Sequence, residues 1–359
     1  MRIPRLAAAI SVLLLTVCNS ARAQYAPDYS IPYPQPITNA DTLSILIVGD
    51  VMMHSRQLGY DCHGFFAKVE DAISSADFAV GNMEFPLGGE PYKGYPVFST
   101  PDYYADYLKE AGFDVFLMAN NHILDMGSRG MERTLSKYRE LGILYTGGSS
   151  DEDEKERTYP LVIRAKGISV ALVNFTYGTN SGVSDSWPAV SRMGKSSVHE
   201  AINRAKDRKT DFIVALPHWG NEYELKHSER QEDWARWLVS EGVSAVVGAH
   251  PHVVQDSTHI SGVPVIYSMG NAVSNMSAIN TRLELCVTLR FTIDRMGDMG
   301  MFEPELRWMW CTLPGTLTDG YATIFVDEWI GRRDEWKQAS DYDNMIETLA
   351  RVRKATGIE

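Results

Sequence analysis

The feature that most constrains this chain is a series of short apolar runs, each closing in a polar side chain. They are "LSILIVGD", "DFAVGNME", "FDVFLMANNH", "DFIVALPHWG" and "VSAVVGAHPH". Runs this continuous read as strands buried on both faces. Segments with helical spacing lie between them: "FFAKVEDAISSA", "PDYYADYLKEAG", "MERTLSKYRELG", "VHEAINRAKDRK" and "ERQEDWARWLVSEG". The second of these opens on a proline and closes on a glycine, as helices do. Alternating strand and helix predicts an α/β layered domain with largely parallel strands flanked by helices. "YPLVIRAKGISVALVNFTYG" predicts two strands joined at Lys166-Gly167, and "VPVIYSMGN" one further strand. In the tail, "LELCVTLRFTID" alternates like an antiparallel strand with "PELRWMWCTLPG" as its partner. "YDNMIETLARVRKATG" predicts a closing helix, completing a C-terminal β/α extension.

In open α/β sheets, ligands bind beyond the carboxyl ends of the strands. The polar run-ends therefore direct Asp50, Asn82, Glu84, Asn120, Asn121, His122, His218, His250 and His252 toward one edge of one sheet. Taken singly, Asp50 or Asn120 would cap the following helix, and a lone histidine would be hydrogen-bonded filler. However, five of the nine histidines (54, 122, 218, 250 and 252) follow such runs, which favours metal binding. In an extended chain, His250 and His252 would face the same side about 6.6 Å apart and could serve neighbouring ions. A nitrogen and oxygen donor set without cysteine suits a catalytic divalent transition-metal ion such as Zn, Mn or Fe.

The termini and the charge set further limits. Arg2 and Arg5, an apolar stretch from Leu6 to Val17 and the small-residue site Ala21-Arg22-Ala23 predict a signal peptide over 1–23. Cleavage near Ala23 places the protein outside the cytoplasm, periplasmic or secreted; a lipoprotein anchored through Cys18 is the minor alternative. Residues 24–41 are rich in proline and predict an extended linker. The domain proper then runs over 42–275, and the C-terminal extension over 276–359 packs on it. The formal charge of −12 falls to −15 once Arg2, Arg5 and Arg22 leave with the leader. That balance argues against a nucleic-acid partner, which needs a basic surface. The spacing of Cys62, Cys286 and Cys311 is unlike any zinc ribbon, and they read as structural filler.

Seven segments occur in a recognisable order: "GDVMMH", "GNMEFPLGG", "YKGYPVFSTP", "AGFDVFLMANNHILDMG", "HWGNEYE", "GAHPHVVQ" and "YSMGNAVSN". In them the chain resembles the capsule-synthesis, CapA-like (poly-γ-glutamate synthesis) family over roughly 43–275. That family looks like a branch of the calcineurin-like binuclear metallophosphoesterases. The resemblance implies a metallophosphoesterase-like layered fold and two divalent ions. One would take Asp50, Glu84, His252 and His54, and the other Glu84, Asn121, His218 and His250. Glu84 stands where the superfamily usually has an aspartate. His54 also departs from the pattern: four residues from Asp50 in an extended chain is about 13 Å. The two converge only if the chain turns helical after Val51.

By the same resemblance, His122 donates a proton to the leaving group. Asp125 either orients that imidazole or caps the helix that follows. Glu222 and Asn271 are expected behind the ligands, fixing their orientation. Lys93, Tyr92 and Tyr95 are candidates for touching an anionic polymer or a phosphoester substrate, with surface-loop filler as the plain alternative. Three functions follow from different premises. The first is a metal-dependent hydrolase attacking a phosphoester. The second is a component of extracytoplasmic capsule or polyglutamate production, working beside capsule-synthesis membrane proteins, that binds the polymer or processes it at its amides. The third is a metal-stabilised binding module without turnover. The sequence leaves the oligomeric state open.

Overall fold

The computed structural model describes residues 41–182, 186–294 and 296–359. The expected signal peptide, Cys18 and nearly all of the linker lie outside the described residues. No helix among the described residues is long and apolar enough to cross a membrane.

Two sheets form the centre, not the single sheet that the alternation suggested. In the first, β1 (Asp41–Val51), β2 (Phe78–Met83), β3 (Val115–Leu117) and β4 (Leu144–Thr146) run parallel in that order. On the other side of β1, the tail adds Leu283–Ile293, Glu305–Thr312 and Ala322–Phe325 as antiparallel strands. The C-terminal extension is thus continuous with the sheet that carries Asp50. The second sheet places Val263–Ile266, Ala245–Val247, Phe212–His218 and Ile168–Thr176 in parallel, with Ser257–Ile260 and Leu161–Ala165 as antiparallel edges.

Side-chain alternation explains why the strands are apolar throughout. Along β1, Leu43, Ile45 and Ile47 enter the core between the sheets, where Val170, Leu172, Val214 and Leu216 meet them. Leu46 and Val48 point the other way, against Ile73, Leu108 and Leu135 of the helices Glu70–Ser75, Asp102–Glu110 and Gly127–Leu141. On the second sheet, helices Lys195–Asp207 and Glu229–Ser240 cover the outer face with Val198, Ile202, Ala235 and Leu238. The result is helix, sheet, sheet, helix.

Sequence and structure differ at two joints. "FFAKVEDAISSA" forms helix only over Glu70–Ser75. "VPVIYSMGN" is two strands: Val263–Ile266 stays in the second sheet, while Asn271–Val273 crosses to pair with the end of β1. Gly49 permits that crossing, because a Cβ there would lie 2.0 Å from the Gly270 carbonyl oxygen. The Lys166-Gly167 hairpin takes positive φ at both residues, +53° and +77°, as a primed two-residue turn requires. Cys62, Cys286 and Cys311 are buried free thiols.

Candidate metal centre

The carboxyl ends of strands from both sheets meet at one buried cluster. Asp50 comes from the end of β1, Glu84 from the residue after β2, and His218 from the end of Phe212–His218. Asn121 and His122 follow β3, and His250 and His252 follow Ala245–Val247. All seven side chains are at most 3% exposed. Nitrogen or oxygen atoms of Glu84, His250 and His252 all lie within 4.8 Å of one another.

The histidine pair is not extended. His250 has φ +99° and His252 φ +59°, both in the left-handed region that side chains other than glycine avoid. Each such residue costs on the order of 1–3 kcal/mol and persists only where its surroundings enforce it. Here the His250 amide donates to Asp50 Oδ2 at 3.2 Å, and the Pro251 carbonyl accepts from the Tyr223 amide at 2.9 Å. The tight turn brings the two imidazole centroids to 5.9 Å and sets His250 4.7 Å from His218. Gly248 clears the approach, since a Cβ there would meet the Tyr267 carbonyl oxygen at 2.1 Å.

The polar atoms of the cluster are partly satisfied and partly orphaned. Asn82 Nδ2 donates to Asp50 Oδ1 at 2.7 Å and lies 3.2 Å from His218 Nδ1. His218 Nε2 lies 2.8 Å from Asn121 Oδ1, close enough for both atoms to reach one ion at the usual ligand distance of about 2.1 Å. His252 Nδ1 lies 2.9 Å from Asn271 Oδ1 and 3.2 Å from Asp50 Oδ2. By contrast, both Glu84 carboxylate oxygens, Asn82 Oδ1 and His250 Nδ1 are buried without a hydrogen-bond partner. A buried carboxylate with neither oxygen bonded is costly unless a cation compensates it, so the residues present fit a bound divalent ion.

Electrostatics agree with that fit. Burial, with Asp50 adding repulsion, pushes the Glu84 carboxyl well above its ordinary range. Burial and then the neighbouring histidines hold His218 and His250 far below theirs. Burial opposes charge on His252 too, but Glu84 and Asp50 outweigh it and push that imidazole up to about 10. The carboxylates thus draw positive charge into the site, while two neutral imidazoles are ready to donate lone pairs.

His122 stands beside the cluster with different partners. Its Nδ1 lies 2.7 Å from Asp125 Oδ2, which also accepts from the Phe98 amide at 2.8 Å. Asp125 does not cap the next helix: Met126 occupies that position, and no side chain makes the capping bond. Phe98 packs edge-on against His122 at 4.7 Å, and Asn180 Nδ2 lies 3.4 Å from His122 Nε2.

Other expected residues fall into place unevenly. The chain turns at His54 itself, where the Gln57 amide donates to the His54 carbonyl. His54 lines the open cleft, outside the Glu84–His250–His252 group. Its Nδ1 lies 3.1 Å from Gln57 Oε1 and accepts from the Asn275 amide at 3.2 Å; burial lowers its pKa to about 4. Asn271 does sit behind His252, anchored through Nδ2 to Ser274 Oγ and the Thr281 carbonyl. Glu222 does not sit behind a ligand: it is exposed on the cleft wall, because its loop leaves the sheet after His218. Tyr95 lines the cleft, whereas Tyr92 and Lys93 do not. Lys93 is held by paired backbone bonds to Ser99, with its side chain exposed. Asn82, expected at the sheet edge without a role, binds Asp50, whereas Tyr177 and Asn180 were missed as site residues. Tyr177 lies 4.5 Å from the His250 ring and follows the strand Ile168–Thr176, so the strand-end rule applied to it. An aromatic after an apolar run simply reads as core.

Comparison with known proteins fits this geometry. Residues 44–276 match the profile of the bacterial capsule synthesis protein PGA_cap family. The capsule biosynthesis protein CapA of Bacillus anthracis is 32% identical over 258 residues, 67% of this chain and 62% of its own length. The PGA biosynthesis protein CapA of Bacillus subtilis is 31% identical over 258 residues, 67% of this chain and 66% of its own. The chain therefore spans less than two thirds of either relative. Among solved structures, a Staphylococcus aureus protein described as a candidate 5′-nucleotidase, in complex with α-ketoglutarate, shares the fold. It superposes with a TM-score of 0.51 at 13% identity, over 74% of this chain and 54% of its own. With its profile matched from β1 through the crossing strand, the chain belongs to the bacterial capsule synthesis protein PGA_cap family.

Proposed function

We propose that this chain is a metal-dependent hydrolase of extracytoplasmic capsule or polyglutamate production, acting on a phosphoester. The observation that carries this is Glu84, fully buried beside Asp50 with neither oxygen hydrogen-bonded. In our assignment Asp50, Glu84 and His252, with His54 at the cleft, hold one ion. Glu84, Asn121, His218 and His250 hold a second. Such ions supply Lewis acidity toward an attacked ester or amide.

The remaining work belongs to the protein. With His122 doubly protonated, Asp125 accepts from Nδ1 and balances the imidazolium charge, while Nε2 carries the proton that is given to the departing oxygen. Asn271 holds the His252 ring against rotation. Asn82 restrains Asp50 and His218 together. The leader-like sequence of 1–23 supports an extracytoplasmic site of action, beside capsule-synthesis membrane proteins.

A second assignment draws on the names of the relatives: the same centre would act on the amides of poly-γ-glutamate. The cleft lining favours the phosphoester, because no Lys or Arg among the lining residues is there to receive a polyanion. The test is elemental mass spectrometry of the chelator-free protein beside His250→Ala, followed by phosphate-release and polyglutamate-cleavage assays. About two transition-metal ions per chain, fewer in the variant, with phosphate released, is the expected result. Polymer cleavage without phosphate release selects the second assignment. Bound metal with no turnover of either substrate leaves a metal-stabilised binding module, and no metal at all defeats the proposal.

A further inference from the structure

The cleft in front of the cluster, about 460 Å³, has an unusual lining for a protein assigned to phosphoesters. Among the described residues that line it, the one acid is Glu222 and none is Lys or Arg. Glu222 is exposed and makes no ion pair among the described residues. Three tyrosines stand around the centre with their rings partly in solvent: Tyr95 is 71% exposed, Tyr177 42% and Tyr223 48%. Each lies over a different histidine. Tyr95 is 6.5 Å from His122, Tyr223 6.4 Å from His252 and Tyr177 4.5 Å from His250.

This wall is held in place. Tyr223 has φ +68°, and its amide donates to the carbonyl of Pro251, between the two centre histidines. The turn that shapes the centre therefore also fixes the Tyr223 backbone, with Glu222 next to it in the chain. A carboxylate beside aromatic rings is the chemistry that receives an ammonium group, since ring faces attract cations and the carboxylate neutralises them. The same carboxylate repels a second carboxylate. The centre itself would receive the phosphate, so the preference bears on the rest of the molecule.

We propose that Glu222, with Tyr223 and Tyr95, forms a subsite for the positively charged portion of the substrate and excludes substrates bearing free carboxylates there. This rests on the hydrolase proposal above and names the leaving portion of its substrate. The test uses the full chain loaded with Mn2+, as wild type, Glu222→Gln and Glu222→Lys. Calorimetric titration with phosphocholine, glycerol phosphate and phosphoglycolate measures binding, and phosphate release from each is followed separately. The wild type is expected to bind phosphocholine about tenfold more tightly than phosphoglycolate, with the neutral ester between. Glu222→Gln should bring that ratio near one, and Glu222→Lys should invert it.

A wild-type preference for glycerol phosphate over phosphocholine, or a ratio that neither substitution changes, overturns the subsite. A ratio that shifts as expected without phosphate release upholds the subsite and defeats phosphoester hydrolysis. Phosphate release with an unmoved ratio does the reverse.

Discussion

At the scale of single residues, Asp125 and His122 separate orientation from chemistry. Asp125→Asn keeps the shape but replaces a carboxylate acceptor by an amide, so the His122 imidazolium charge is no longer balanced. On the proposed function, kcat for phosphate release should fall by about 10²–10⁴-fold in His122→Ala and by less in Asp125→Asn, with metal content unchanged in both. Loss of metal in either variant would place the dyad in ion binding instead. Gly49→Ala tests packing rather than chemistry. Its Cβ would be forced against backbone, the Gly270 carbonyl, which has no side-chain freedom to yield. The expected cost is about 1–3 kcal/mol, seen as a lower Tm, and metal affinity should fall with it because Asp50 is the next residue. The polar residues at the run-ends were legible because burial makes each one expensive, so several in succession demand a common purpose. The left-handed backbone of His250 and His252 was not legible: periodicity describes extended chain, and the turn is enforced by Asp50 and Tyr223, far away in sequence.

At the scale of elements, strands and helices were legible wherever one period held throughout. The long helix Ala339–Thr356 and the antiparallel pairing of Leu283–Ile293 with Glu305–Thr312 both stand where the pattern put them. Joints were harder. "VPVIYSMGN" reads as one strand because apolarity does not record that Gly270, at φ +85°, hands the chain to another sheet. The helix Glu152–Thr158 is another case, since "DEDEKER" reads as a solvated acidic turn while Glu154 is in fact buried. Burial opposes its ionisation, but hydrogen bonds from the Tyr145 hydroxyl, the Ser150 amide and Arg139 outweigh that and hold the carboxyl below its ordinary value of 4.5. A depressed folded pKa contributes stability that is present above the unfolded value and lost as pH falls through the folded one. Glu154→Gln should therefore lower Tm at neutral pH. The difference from wild type should shrink progressively below about pH 4.5. A Tm difference that stays constant from pH 7 to pH 3 would show that shape, not charge, is what Glu154 supplies.

For the whole molecule, the question is whether the tail beyond the family match is an appendage or part of the fold. Leu283–Ile293 pairs with β1 from Asp41 opposite Ile293 to Ile47 opposite Val287, the longest partnership of the strand that carries Asp50. It also sends Glu284 Oε1 to accept from the Gly49 amide at 2.6 Å, directly behind the centre. The closing helix is tied in by one buried ion pair: Arg282 donates to both oxygens of Asp341 at 2.6 and 2.7 Å, and to the Cys311 carbonyl. Arg282 also stacks over Trp310 at 4.3 Å. A buried pair of this kind adds little net stability over an apolar replacement, yet losing one partner strands the other charge. Asp341→Ala should thus cost about 3–5 kcal/mol, whereas the double variant Arg282→Met with Asp341→Leu should recover most of it. If the tail is integral, the single variant lowers the Tm of the whole chain in one transition, and the metal content measured at the centre falls with it. If the tail is an appendage, Asp341→Ala produces a separate early transition and the centre keeps its ions. The shared strand pairing with β1 predicts the first outcome.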